Sequence, residues 1–209
     1  IKERRGRLRG YLKELEDTGA DQLSLTDPDA RAMARMTKVG VGYNAQIAVD
    51  EKYKLIAEQQ VTNRVLDYGH LTDVAVASRD LFLAKTIEVV ADRGYCQAED
   101  IEACEKAGMT PFVPKPDRGP AKRHGLFPKE RFAYDPDKDG YNCPSGALLK
   151  LKGTGGVRGF QRRIYASPSA CSGCFLKAQC TKGRFRQITR YGNEEVLERM
   201  AERLRKRPE

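Results

Sequence analysis

The stretch from Val89 to Pro116, VVADRGYCQAEDIEACEKAG followed by MTPFVPKP, constrains the fold more than any other. A short apolar run, Glu88 to Ala91, reads as a buried strand. Asp92-Arg93-Gly94 then turns the chain, and residues 97–107 carry a helical pattern that Gly108 stops. A last short strand follows, and Pro114 and Pro116 mark an edge or an exit. Upstream, Tyr43, Ala45, Ile47 and Val49 alternate, Asp50-Glu51-Lys52 make a polar turn, and residues 55–61 return as a second strand. Between the hairpin and the strand, Leu71, Val74, Ala75, Ser78, Leu81 and Phe82 give a helix over roughly 70–85 one apolar-to-small face. The order hairpin, helix, strand, helix, strand predicts an α/β (α+β) fold, a mixed sheet with helices packed on it.

The flanks are of other kinds. Leu8, Tyr11, Leu12 and Leu15 predict a helix over 2–17 with Gly19 as its stop. SLTDPDARAM predicts a second short helix, capped by Thr26 or Asp27 with Pro28 at its first position; Asp27 and Asp29 suit capping better than metal binding. Residues 117–140 are rich in Pro, Gly, Lys and Asp and read as a linker or irregular insertion. In the closing NEEVLERMAERLRKR, Asn193 can cap a helix, Glu194 and Glu195 suit its first turn, and Val196, Leu197, Met200, Ala201 and Leu204 form its buried stripe.

The net charge of +9 is local. Residues 140–193 contain no Asp or Glu but hold ten Lys or Arg, so the rest of the chain is close to neutral. Lys150, Lys152, Arg158, Arg162, Arg163, Lys182, Arg184 and Arg186 are the candidate DNA-binding residues of this block. They are interleaved with Tyr141, Phe160, Tyr165, Phe175, Phe185 and Tyr191. Such a pattern suits a phosphate backbone and stacked bases; it also suits a solvated basic face over a small aromatic core. There is no apolar run long enough to span a membrane and no export signal, so no membrane partner is expected.

Six cysteines fall into two groups. Cys96 and Cys104 flank the helix after Asp92 and read as packed thiols. Cys171-Ser-Gly-Cys174 is a knuckle, Cys180 follows it, and Cys143 stands in YNCPSG, where Pro and Gly favour a tight turn. Four thiolates in this pattern fit a tetrahedral structural Zn2+ site, although the second half departs from a paired C-x2-C; reduced structural cysteines around an insertion remain the other reading. Neither His70 nor His124 falls in the cluster, which argues against a catalytic zinc.

Asp92 is the best catalytic candidate. A carboxylate at the end of a buried strand is a good hard-oxygen ligand for Mg2+, and phosphodiester chemistry commonly uses two such ions held by several carboxylates. The bland reading is that Asp92 caps the turn behind it.

DPDARAM, GYNAQIAVD, LIAEQQVTN, VVADRGY and EACEKAGMTPFVPKP, in that order, resemble bacterial insertion-sequence transposases of the DDE type. The later YNCP and CSGCFLKAQC segments resemble the cysteine-bearing insertion of one branch, so the resemblance covers nearly all of residues 25–209. It implies an RNase H-like fold in which two Asp and one Glu hold two Mg2+ ions for DNA cleavage by water and strand transfer by a 3′-hydroxyl. It also implies DNA partners (the element's terminal repeats and its target), a homodimer in the transposition complex, and a cytoplasmic, nucleoid-associated location. Asp92 matches the second Asp of the family. The first Asp, on a strand upstream of DPDAR, has no match, and the chain stops at RKRPE where the Tyr/Arg/Glu helix pattern would begin. Asp50, Glu194, Glu195 and Glu209 do not fit the vacant roles.

The organisation expected is a helical segment over 1–35, a partial RNase H-like core over 36–117, a basic zinc-ribbon-like insertion over 118–191, and a helix over 192–209. Because the chain begins with Ile1, it is expected to be a fragment, and with one of three acids it is expected to be inactive by itself. The alternative is a non-catalytic DNA-binding zinc module.

Overall fold

The computed structural model describes residues 2–35, 38–116, 119–157 and 160–207. The chain forms two compact units, residues 1–114 and 115–209. It is a mixed α/β protein with a curled antiparallel sheet flanked by helices, an arrangement consistent with an RNase H-like fold.

The first unit opens with α1 (Lys2–Thr18), which Gly19 ends in the left-handed region at φ +66°. The apolar stripe of α1 is not buried; Leu8 and Leu12 are both more than half exposed. Residues 27–30 do not form the short helix expected there. They make one turn, with the Ala30 amide donating to the Asp27 carbonyl at 3.1 Å and the Asp29 amide to Asp27 Oδ1 at 3.2 Å. The chain then enters β1 (Arg31–Arg35), paired antiparallel with β2 (Lys38–Gly42). Asp27 and Pro28 are as good in a turn as at a helix start, and strand pairing decides between them.

The hairpin is β3 (Asn44–Val49) and β4 (Ile56–Thr62), in register Asn44↔Thr62, with an irregularity at Ala48/Val49. Its burial inverts the expected pattern. Tyr43, Ile47 and Val49 are about half exposed, whereas Gln46 is 1% exposed. The alternation located the strand, but Gln46 takes the inner face because its amide has partners there.

Helix α2 (Leu71–Leu81) buries Leu71, Ala75 and Ser78. Its N-cap, His70, makes no side-chain capping bond. Asp100 does that work from α3 (Ala98–Lys106): its carboxylate accepts from the Leu71 amide at 2.9 Å, the Thr72 amide at 3.0 Å and the Thr72 hydroxyl at 2.6 Å. This tertiary cap fixes α3 across the start of α2. Strands β5 (Glu88–Val90) and β6 (Thr110–Phe112) flank α3 and pair in parallel, Glu88↔Thr110 to Val90↔Phe112. Among the described residues β3–β4 and β5–β6 are hydrogen-bonded as two separate pairs, one antiparallel and one parallel.

In the second unit α4 (Pro120–Arg123) precedes a five-stranded antiparallel sheet. Its strands are β7 (Ala133–Asp135), β8 (Gly140–Asn142), β9 (Leu148–Val157), β10 (Phe160–Ala166) and β11 (Gln187–Tyr191), in the order β11-β10-β9-β8-β7. Two short helices, α5 (Pro168–Ser172) and α6 (Lys177–Cys180), interrupt β10 and β11, and α7 (Glu194–Lys206) closes the chain. The core is Phe132, Tyr141, Leu149, Tyr165 and Ile188. Tyr141 lies 5.1 Å from Tyr134 and 5.2 Å from Tyr165, between ring centroids. Arg190 stacks 3.9 Å over the Tyr134 ring and forks onto Glu198 of α7 at 2.5 and 2.8 Å.

Candidate functional site

Asp92 stands one residue beyond the last β5–β6 bond, donated by the Ala91 amide to the Phe112 carbonyl at 3.1 Å. The backbone there is still extended, and a single 3-10 turn, Arg93–Tyr95, follows. The Asp92 side chain accepts from the Gly94 amide at 2.6 Å. The capping role is thus real, but it occupies one carboxylate oxygen and leaves the residue exposed at the strand end.

A second carboxylate shares this corner. Asp67, in the loop between β4 and α2, accepts from Asn44 Nδ2 at 2.9 Å and Gln46 Nε2 at 3.1 Å. A Cβ on Gly94 would lie 2.8 Å from both Asp67 Oδ2 and Asp92 Oδ1. Both oxygens thus crowd the side of Gly94 where a Cβ would stand, no further apart than twice that distance, and the Asp92 oxygen there is the one that also accepts from the Gly94 amide. Tyr95 closes the corner, its hydroxyl donating to Gln46 Oε1. Burial, then the charges of Asp67 and Asp92, push the Tyr95 phenol above its ordinary value. Two neighbouring carboxylates are the kind of oxygen donors that a hard cation takes. No group of three His, Cys, Asp or Glu in ligating arrangement occurs among the described residues, so this corner supplies two acids and not a triad.

Asp67 was not among the sequence candidates. The signal was present: Asp67-Tyr68-Gly69 and Asp92-Arg93-Gly94 are the same Asp-x-Gly pattern, each following a strand. Asp50 caps the hairpin turn through the Tyr53 amide. Glu194 is buried against Lys129 and also accepts from the Tyr191 amide at 3.1 Å. Glu209 lies outside the described residues.

In the second unit, Cys143 sits in the β8–β9 turn, Cys171 on α5, Cys174 just after it and Cys180 at the end of α6. All four line one cavity of about 20 Å3, with Phe127, Phe132, Leu149 and Leu176 around them. That is room for about one water-sized guest. Burial raises the Cys180 thiol pKa, Arg186 opposes this, and the neighbouring Cys171, Cys143 and Cys174 add to it. None of the six cysteines is in a disulfide. Cys104, on α3, is fully buried.

The basic block divides by job. Lys150 and Lys152 on β9, and Lys182 and Arg184 after α6, are exposed. Arg162 is half-buried. Arg163 pairs with Asp139, whose carboxylate also accepts from Tyr134 and Tyr165, and Arg186 donates to the Cys180 carbonyl at 3.1 Å while covering Phe132. Arg158 and the Phe160 side chain lie outside the described residues. Of the interleaved aromatics, Tyr141 and Tyr165 belong to the core, whereas Phe175 is 84% exposed and Tyr191 44%.

Residues 25–141 match the transposase DDE domain family, more than half of the chain. The chain belongs to that family. The matched span of this DDE transposase chain carries Asp67, Asp92 and Tyr95 and stops just short of Cys143. No curated protein and no solved structure matches it significantly. No helix among its described residues is long and apolar enough to cross a membrane.

Proposed function

We propose that this chain is part of a transposase that cuts and joins DNA ends with divalent metal ions, and that Asp92 and Asp67 are two of the groups that hold Mg2+. The observation that carries the reading is the pair of carboxylates converging on Gly94 inside the span that matches the family. Bound there, Mg2+ would supply charge stabilisation at a phosphoryl oxygen and an activated water or hydroxyl nucleophile. The residues themselves have separable tasks. Gly94 keeps the space between the carboxylates free, and Asn44 and Gln46 aim Asp67. Tyr95 keeps its proton and positions Gln46 through it.

The second unit is proposed to bind DNA through the exposed Lys150, Lys152, Lys182 and Arg184, with Arg162 beside them and Phe175 and Tyr191 as stacking surfaces. Cys143, Cys171, Cys174 and Cys180 are proposed to hold one Zn2+: they line one cavity of about 20 Å3 without standing in a ligating arrangement, so the ion would have to draw the four thiols together. The transposition complex is proposed to be a homodimer on the element's ends, in the bacterial cytoplasm at the nucleoid.

With two acids and no third beside them among the described residues, this chain is expected to bind DNA without cleaving it. Incubation with linear duplex DNA and Mg2+ or Mn2+ tests this. Salt-sensitive binding, equal in the parent and Asp92→Asn, with no nicking, is the expected result. Nicking that Asp92→Asn abolishes would show that the active site is already complete, and absence of DNA binding would remove the reading of the second unit. The alternative, a DNA-binding zinc module with no catalytic ancestry, is disfavoured by the Asp67–Asp92 corner, which DNA binding does not require.

A further inference from the structure

The two Asp-x-Gly turns of the first unit set opposite charges against their glycines. In Asp92-Arg93-Gly94, carboxylate oxygens of Asp67 and Asp92 crowd Gly94. In Asp67-Tyr68-Gly69 a guanidinium takes that place. A Cβ on Gly69 would meet Arg64 Nη2 at 3.3 Å, Nη1 at 3.4 Å and Cζ at 3.8 Å. The two nitrogens are nearly equidistant and the carbon is further away. The guanidinium therefore meets the glycine with its two-nitrogen end, which leaves its side fork, Nε–H with one Nη–H, for a partner. Gly69 is also in the left-handed region at φ +80°, so both the backbone and the seated guanidinium call for glycine there.

Arg64 is exposed, and among the described residues its guanidinium has no hydrogen bond or ion pair. The acids beside it are turned elsewhere. Asp67 Oδ1 accepts from Asn44 and Gln46, and Oδ2 lies against Gly94; the Asp92 oxygen at Gly94 accepts from the Gly94 amide. If Arg64 served only to balance Asp67, three residues along the chain, a direct ion pair would be the simpler arrangement. Instead the loop holds two acids without a cation and one cation without an anion. Gly69 is two residues from Asp67, so their α-carbons are within about 7 Å of each other. An anion gripped by Arg64 is therefore a near neighbour of the carboxylate corner. A DNA phosphate accompanied by a divalent ion supplies both missing charges at once.

We infer that Arg64 grips a phosphodiester group of the DNA, beside the divalent ion that Asp67 and Asp92 are proposed to hold. The inference rests on that metal site and adds a condition to it. Without an ion the two carboxylates repel a phosphate from this loop; with one, the repulsion is cancelled and the Arg64 fork can act. DNA contact at Arg64 is therefore switched on by divalent metal, whereas contact through Lys150, Lys152, Lys182 and Arg184 needs none.

The test adds a short blunt DNA duplex to the full chain and follows the NMR signals of the Tyr68 and Gly69 amides and of Arg64 Nε–H, in Mg2+ and in EDTA. The expected result is shifts in Mg2+ and none in EDTA. Arg64→Gln should need about tenfold more duplex for the same amide shifts. Arg64→Lys, which keeps the charge and loses the fork, should fall between the two. Arg64→Gln should keep the broadening of Gly94 by Mn2+ and the duplex-induced shifts of the second unit, which shows that fold, metal site and basic block are intact. Mg2+-dependent shifts that Arg64→Gln leaves unchanged, or that Arg93→Gln removes instead, overturn the inference. Shifts of equal size in EDTA overturn it as well. Equal shifts from inorganic phosphate with Mg2+, at matched phosphate concentration, make the ligand a free anion and overturn the DNA assignment. No Mn2+ broadening at Gly94 in the parent removes the metal reading and the inference with it; broadening there without any duplex response at Gly69 overturns the inference alone.

Discussion

Asp100→Ala separates a tertiary cap from an ordinary surface acid. Asp100 is 7% exposed and holds the first two amides of α2 from a different helix. Removing it leaves the Leu71 amide with no acceptor at a site that is 3% exposed, where water does not readily replace it. An unsatisfied buried donor costs about 1–3 kcal/mol. Thr72 is half-buried, so water recovers part of its loss, and its hydroxyl keeps its bond to the Asp100 backbone carbonyl at 2.8 Å. The total is about 3 kcal/mol, and Asp100→Asn, which retains one carbonyl acceptor, should lose about half of that. Asp73 is the control: it is exposed in the first turn of α2, and its removal costs only a helix-dipole term of about 0.5 kcal/mol. The two units need not melt together, so the assay is urea-dependent hydrogen exchange of the α2 amides. A loss below about 1 kcal/mol for Asp100→Ala, or one equal to that of Asp73→Ala, refutes the capping argument.

Gly94→Ala should leave stability within about 1 kcal/mol, because the clashing atoms are carboxylate tips that can swing away, yet it should sharply weaken Mn2+ binding measured by titration. The parent chain should bind one Zn2+ and Cys174→Ser should not, as read by metal analysis after dialysis; a metal-free parent contradicts the zinc proposal. Metal uptake should release protons. In the metal-free chain the raised Cys180 pKa means that the folded state keeps its thiol proton longer than the unfolded one. Stability is then full below the ordinary thiol range and falls as pH rises through it, a trend that urea melts at several pH values would show. Arg190→Ala should cost about 2 kcal/mol through the lost Glu198 fork and Tyr134 stack. The Arg190 bond first of all holds Glu198 below the ordinary carboxylate range, so this contribution is present near neutrality and is lost as pH falls through the depressed value. Alanine at Lys150, Lys152, Lys182 or Arg184 should each reduce the salt slope of DNA binding by about 0.9 for every phosphate no longer neutralised, and binding assays across salt concentrations would reveal substitutions that leave it unchanged.

The strand–turn–helix–strand run from Val89, the hairpin and the closing helix were legible because local periodicity and glycine stops agree with the tertiary structure there. DPDAR was misread because a capped helix start and a tight turn use the same residues; only the pairing of β1 with β2 distinguishes them. Gln46 could not be read as buried, since its place inside depends on Asp67 and Tyr95, both distant in sequence. The same distance hid Asp67: nothing local indicates that its oxygen and that of Asp92 both lie against Gly94. In the basic block, composition gave the charge but not the division of labour. Tyr141, Tyr165, Arg163 and Arg186 build the interior of the second unit, and only their packing against Phe132, Asp139 and the cysteine cavity shows it.

The central claim is that Asp67 and Asp92 hold a divalent ion together. Paramagnetic broadening of backbone amides by substoichiometric Mn2+ tests it most directly. The account predicts that Gly94, Tyr95, Asn44 and Tyr68 broaden first, and that either Asp67→Asn or Asp92→Asn removes the effect. Broadening centred elsewhere, or surviving both substitutions, contradicts it.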